Sequence, residues 1–257
     1  MAARLGKLLV WLAIGAAVWW AYRRSGVALG GFLQWQALAM VGGGTAVALL
    51  VSYPWRLVLQ AGGAVRRAWQ PPPESPAALI PVFAEWASRA KRSGIMAVER
   101  EIRRTDDPFL ARALTLAVSG VDATIVRQTL DVDHRVTLER EEEEAQVLEA
   151  AGGYAPTLGI IAAVLGLIRV MEDLSSPAGV GAGIAAAFVA TLYGLGAANL
   201  VLLPLATRLR SRSRQQALRR EFTIDGVLAL HGGLHPRLVE ERLNGYITPG
   251  GRDMEVA

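Results

Sequence analysis

Two apolar runs, Tyr154 to Ile168 and Val180 to Ala206, contain neither an acid nor a base, and each holds a proline, Pro156 near the start of the first and Pro204 near the end of the second. Runs of this length can satisfy their backbone groups in a bilayer only as helices, and a hydrocarbon core of ~30 Å takes about 20 residues. Two further segments, Leu8 to Tyr22 and Phe32 to Tyr53, meet or approach that length. The expectation is an all-α polytopic membrane protein with four transmembrane helices and a helical cytoplasmic domain. The first and third runs are short and need flanking residues to span.

Composition agrees, since 52% of the 257 residues are hydrophobic and only 19% charged, more apolar than an ordinary soluble domain. Arg4 and Lys7 precede the first run as in a signal peptide, but Trp19 to Arg24 offers no small-residue cleavage site, so the run is read as retained. With no cysteine, neither a disulfide framework nor a thiolate metal site is available. The net charge of +4 and pI near 9.8 come mostly from arginines beside the apolar runs: Arg56, Arg66, Arg67, Arg208, Arg210, Arg212 and Arg214. That distribution is a topology signal and not a nucleic-acid footprint. It places the segment from Trp55 to Ala150 and the tail after Thr207 inside, so four spans put both termini in the cytoplasm, against the opposing signal of Arg23 and Arg24.

The organisation expected is 1–55, transmembrane helices 1 and 2; 56–150, a cytoplasmic helical domain; 151–209, transmembrane helices 3 and 4; and 210–257, a cytoplasmic tail. Pro71 to Pro76 is a linker. Ala77 to Arg92 has amphipathic spacing, Ile95 to Arg104 reads as a short helix, and Asp107 caps a helix with Pro108 in its first turn. From Phe109 to Ala150 only Gly120 interrupts one or two long helices. The acidic block Glu139 and Glu141 to Glu144 reads as a solvated helix surface, the alternative being a cation-attracting vestibule.

Along the fourth run small residues recur every fourth position, at Ala182, Ala186, Ala190, Gly194 and Ala198, with a shorter version in the third at Gly159 with Ala163 and Ala162 with Gly166. Such stripes let helices pack closely. Apart from two tyrosines, Thr157 and Thr191 are the only hydroxyls in these runs. Ion transfer through a low-dielectric region needs a group that takes and releases the ion, usually a carboxylate. None is present, because Glu172 and Asp173 fall in the outer loop and Glu149 at the inner mouth. If this pair conducts, a second protein supplies the acid. His134, His231 and His235 lack metal-ligand spacing and no glycine-rich phosphate loop follows a strand, so no catalytic residue, metal or cofactor is expected.

The stretch from Gly152 to Leu209 closely resembles the third and fourth membrane helices of the MotA family, the proton-channel subunits of bacterial flagellar stators. The likeness extends to Gly42–Thr45 with Ser52–Pro54, to GIMAVERE at Gly94–Glu101, and to the tail from Asp225 to Leu243. It implies an inner-membrane subunit, a pentamer around a MotB-type dimer that brings an aspartate, and contact with the rotor protein FliG. It also implies that Thr191 faces that aspartate, with Thr157, Gly159 and Ala163 along the pathway, and that Pro156 and Pro204 belong to the conformational cycle. Rotor contact falls on Lys91 and Glu99, with Arg89 and Arg92 as neighbours. Sodium-driven relatives carry a threonine where this chain has Ala163, so H+ is expected over Na+. The rivals are an ExbB or TolQ energiser with three spans, a sodium-driven PomA-like stator, and a purely structural scaffold.

Overall fold

The computed structural model describes residues 34–70, 75–172 and 177–247, and every regular element among them is helical. In chain order these are α1 (Trp35–Ser52), α2 (Trp55–Ala68), α3 (Ile80–Ser93), α4 (Glu99–Ile102), α5 (Pro108–Val118), α6 (Ala123–Glu172), α7 (Pro177–Gly196), α8 (Leu203–His231) and α9 (Pro236–Asn244). The described residues form two compact units. One runs up to Val51 and includes Ala151–Val201; the other comprises Ser52–Ala150 and the residues from Leu202 onward.

The first unit holds α1, the apolar end of α6, and α7. Three helical stretches are long and apolar enough to cross a membrane: Trp35–Ser52, part of Ala123–Glu172, and part of Gly179–His231. The fourth expected span, Leu8 to Tyr22, lies outside the described residues. On α1 the buried positions are Ala37, Val41, Thr45 and Leu49, a single seam at four-residue spacing, while Val47, Leu50 and Val51 are exposed. That distribution suits a helix with lipid on most of its circumference. Gly44 sits on the inner side, where an added Cβ would lie 3.1 Å from the Leu158 side chain.

The two prolines are accommodated differently. Pro156 lies inside the continuous α6. Pro204 stands in the first turn of α8, directly after a π-helical turn at Ala197–Leu202. The expected helix from Val180 to Ala206 is therefore interrupted. A proline offers no N–H to the preceding turn, and a π turn is a common way for a helix to absorb that shift in register.

The second unit has a core of Ile80, Phe83, Trp86, Val98, Leu114, Leu130, Phe222, Val227, Val239 and their neighbours, drawn from α3, the 3₁₀ turn Ile95–Val98, α5, α6, α8 and α9. Phe83 meets Trp86 and Phe222 edge-on, and Phe222 meets Tyr246 in the same way, with centroids 5.3–5.8 Å apart. Gly226 lets α8 approach: a Cβ there would sit 2.7 Å from the Phe83 ring. Asp107 caps α5 as expected, its carboxylate accepting from the Phe109 and Leu110 amides at 3.0 and 3.3 Å. Gly94 and Gly120, at φ 78° and 74°, take the left-handed region that favours glycine. They separate α3 from the following turn and α5 from α6, so Phe109–Ala150 contains two helices. The amphipathic segment Ala77–Arg92 is resolved into a 3₁₀ turn, Pro76–Leu79, and α3.

The acidic block is only partly a solvated surface. Glu139 and Glu143 are exposed. Glu141 accepts from the Ser213 hydroxyl at 2.7 Å, and Glu142 and Glu149 share Arg210 at 2.8 and 2.7 Å. Glu144, whose side chain is 3% exposed, pairs with Arg67 and lies 3.6 Å from Arg140. These contacts join α6 to α2 and α8 around a small-residue cluster of Ala64, Ala68, Ala145, Leu148, Ala206 and Leu209. Burial pushes the Glu144 carboxyl above the usual glutamate range despite Arg67 and Arg140, while the bonds Arg210 donates to Glu149 and Glu142 raise it above its ordinary value.

Candidate ion-pathway helix pair

Where α6 and α7 cross in the first unit, the backbones touch. A Cβ on Gly159 would come 2.9 Å from the Ala190 carbonyl oxygen, 3.3 Å from Gly194 Cα and 3.4 Å from Thr191 Cα. One on Gly194 would come 2.5 Å from the Ala155 carbonyl oxygen and 3.1 Å from Pro156 Cα. Ala155, Ala162, Ala187 and Ala190 are buried along the same line. The small-residue stripe is therefore used within the chain at Ala190, Gly194 and Ala198, whereas Ala182 remains exposed. Close approach of this kind holds a helix pair by dispersion, with no charge involved.

Thr191 is half-buried on this seam and Thr157 is exposed. Each donates to the carbonyl one turn earlier, Thr191 to Ala187 and Thr157 to Gly153, at 3.4 Å in both cases. Good hydroxyl bonds fall at about 2.7–2.8 Å, and Thr45 on α1 achieves 2.6 Å to Val41. The two threonines are thus loosely held, and their oxygens retain capacity to coordinate. Ala163 is half-buried and brings no oxygen. Arg169 and Glu172 sit exposed in the last turn of α6, beyond the apolar run. One contact not foreseen from sequence is Tyr193, whose hydroxyl accepts from the Gln34 amide at 3.2 Å.

The second unit separates the four expected rotor-contact residues. Lys91 and Arg92 end α3 in the open and Glu99 starts α4 in the open. Arg89 instead turns inward, pairing with Glu101 at 2.9 Å and Glu85 at 3.3 Å. Glu101, with 11% of its side chain exposed, is also 3.5 Å from Arg104. The sequence places Glu99 and Glu101 two residues apart, which on a helix are different faces, and that spacing was the signal for their opposite fates. His231 contacts the Ala117 carbonyl oxygen at 3.0 Å and His235 caps α9 by accepting from the Arg237 amide. Among the described residues no cluster has the make-up of a metal site.

The described residues of the first unit thus form helices of membrane-crossing length, with a close-packed pair whose apolar runs carry no charge, the make-up of a polytopic membrane subunit. The sequence profile of the MotA/TolQ/ExbB proton channel family matches residues 101–222. The chain is 32% identical to chemotaxis protein PomA of Vibrio alginolyticus over 232 residues, 90% of each chain. It is 37% identical to motility protein A of Bacillus subtilis over 174 residues, 68% of this chain and 64% of that one. The solved flagellar MotAB stator complex from Bacillus subtilis contains a chain that superposes with a TM-score of 0.83 at 30% identity, over 98% of both. This chain belongs to the MotA/TolQ/ExbB proton channel family, and within it to the MotA and PomA stator subunits.

Proposed function

We propose that this chain joins a MotB-type partner in the bacterial inner membrane, conducts protons, and converts their flow into torque on the rotor. The observation that carries the reading is the crossing of α7 with the apolar run Tyr154 to Ile168 of α6: packed backbone to backbone, free of acids and bases along both, with Thr191 at the seam and its hydroxyl only loosely bonded. Such a pair can line a pathway but cannot carry a proton by itself, which fits a partner that brings the acid. The superposed Bacillus subtilis chain comes from a MotAB complex, in keeping with that need.

Ala163 supports protons as the transported ion, because sodium stripped of water requires replacement oxygens and this position has none. A unit charge crossing the membrane yields ~2.3 kcal/mol per 100 mV, enough to bias a conformational step. In the proposed cycle, protonation of the partner's acid near Thr191 lowers local charge and the helix pair shifts at Pro156 and Pro204. The cytoplasmic helices then step against FliG through Lys91, Arg92 and Glu99. Five copies around a partner dimer, four spans and two cytoplasmic termini complete the reading.

The test is co-expression with a MotB-type partner in a non-motile host lacking its own stator, with proton and sodium gradients collapsed separately. Swimming that stops only with the proton gradient is the expected result. Sodium dependence would overturn the ion assignment, and an inserted complex without motility would overturn the motor reading.

A further inference from the structure

Helix α2 is basic, and among the described residues one face of it has no partner. Trp55, Leu59, Gly62, Arg66 and Trp69 are spaced by four, three, four and three residues and so form one stripe. Trp55, Leu59 and Trp69 on it are 60%, 65% and 68% exposed. The opposite side is buried, with Ala64 and Ala68 packed on Ala145, Leu148, Ala206 and Leu209. No acidic residue occurs from Pro54 to Gln70.

The arginines nearby divide into two groups. Arg67 and Arg210 are engaged by Glu144, Glu142 and Glu149. Arg56, Arg66 and Arg208 are exposed, and none of them is ion-paired to a described residue. Two of these cations sit beside the indoles that bound the stripe, Arg56 at 5.6 Å from the Trp55 ring and Arg208 at 4.9 Å from the Trp69 ring. Between them a Cβ on Gly62 or Gly63 would meet nothing within 4 Å, leaving a notch of bare backbone in the middle of the face.

We propose that this face of α2, together with Arg208, binds the headgroups of anionic phospholipids at the inner surface of the membrane. Pro54 closes the apolar span of α1 and Trp55 opens α2, so the stripe begins at the level where tryptophan is favoured, its ring in the apolar boundary and its N–H in the headgroups. An amphipathic helix with tryptophan and leucine on one side and arginine at the edges lies in that interface. Arginine matches phosphate with paired donors, and here three guanidinium groups have no ion pair with a described residue. A second copy presenting the same face would oppose like charges, whereas an anionic lipid neutralises them. The proposal rests on the membrane reading of α1 but not on proton conduction.

The test uses the intact complex with its MotB-type partner, purified in a neutral detergent at low salt. It is titrated separately with phosphatidylglycerol, phosphatidylcholine and inorganic phosphate while the thermal midpoint is followed. Phosphatidylglycerol should raise the midpoint at concentrations where the other two do not, and salt should weaken the effect. Arg56→Gln, Arg66→Gln and Arg208→Gln should each lower the apparent lipid affinity by about fivefold. Brominated phosphatidylglycerol should quench tryptophan emission less in Trp69→Phe than in the parent. An equal response to phosphatidylcholine, or a triple Arg→Gln variant with unchanged affinity, would overturn the proposal. So would a triple variant whose assembly falls apart before lipid is added, which would assign the face to contact between copies. A chain extracted from membranes without detergent would instead defeat the membrane reading.

Discussion

Gly194→Ala tests whether the α6 and α7 seam governs transport. The added Cβ falls 2.5 Å from the Ala155 carbonyl oxygen and 3.1 Å from both Ala155 C and Pro156 Cα. All three are backbone atoms that cannot rotate away. Carbon contacts settle at about 3.5–4.0 Å, so the helices must part by roughly 0.5–1 Å, a gap that forfeits a quarter to a half of each dispersion well. The loss extends along the seam, because Gly159 against Ala190 and Gly166 against Ala187 depend on the same separation. Overpacking of this sort costs about 1–3 kcal/mol. Gly153→Ala is the control: its Cβ meets nothing within 4 Å, leaving only the better helix propensity of alanine, about 1 kcal/mol in the favourable direction. Proton flux into liposomes holding the complex, normalised to inserted protein, should fall by about tenfold for Gly194→Ala, the equivalent of ~1.4 kcal/mol, and hold for Gly153→Ala. Wild-type flux and stability in Gly194→Ala would refute the argument that backbone contact sets the pathway.

Thr191→Val should insert and assemble normally yet reduce swimming speed, whereas Thr191→Ser should retain it; normal swimming by the valine variant would remove Thr191 from the pathway. In the second unit, Arg67→Gln should destabilise more than Glu144→Gln in thermal unfolding. The first leaves a carboxylate 3% exposed with only the longer contact from the exposed Arg140, at about 3 kcal/mol, whereas the second leaves an arginine that is 38% exposed and still reaches water. Because burial raises the Glu144 carboxyl above its unfolded value, its stability contribution is complete below the unfolded pKa and is lost as pH rises through the folded one. Glu144→Gln should flatten that dependence and Arg67→Gln steepen it; the opposite order would show that the ion pair, not burial, dominates. Arg89→Gln should lower stability by releasing Glu101, while Lys91→Glu and Glu99→Lys should alter torque without moving the unfolding midpoint. A shift in the midpoint for Lys91→Glu would place that side chain inside the domain.

Much of this was legible from residue pattern. The apolar runs announced the three described membrane-length helices, Asp107 with Pro108 announced a helix start, and glycine recurring on the third and fourth runs announced close packing. What could not be read was pairing at long sequence distance. Glu141 to Glu144 form an acidic run whose bland reading is solvent, yet their partners Arg67, Arg210 and Ser213 lie some seventy residues away, on helices whose approach no local rule specifies. The break at Ala197–Leu202 was hidden for a related reason. Pro204 predicts a disturbed turn, but whether the helix kinks or inserts a π turn depends on the surrounding packing.

The same division explains why charge is arranged so unevenly. Between Tyr154 and Ile168, and again between Val180 and Ala206, the chain carries none, so any ion moving there must do so on a group from another molecule. In the second unit basic residues outnumber what the acidic block can neutralise, and the pairs on Glu142, Glu144 and Glu149 take up only the inward-facing arginines. Among the exposed cations outside those pairs are two groups: Arg56, Arg66 and Arg208 around α2, and Lys91 and Arg92 at the end of α3. The first set lies next to the membrane-length segments in sequence, as the proposed lipid contact requires; the second is displayed with Glu99 on the second unit, where a partner bearing both signs can engage it. On the proposed reading, the apolar runs need an acid from another molecule, and the exposed cations of the second unit are the charge left over for a partner or a lipid surface to meet.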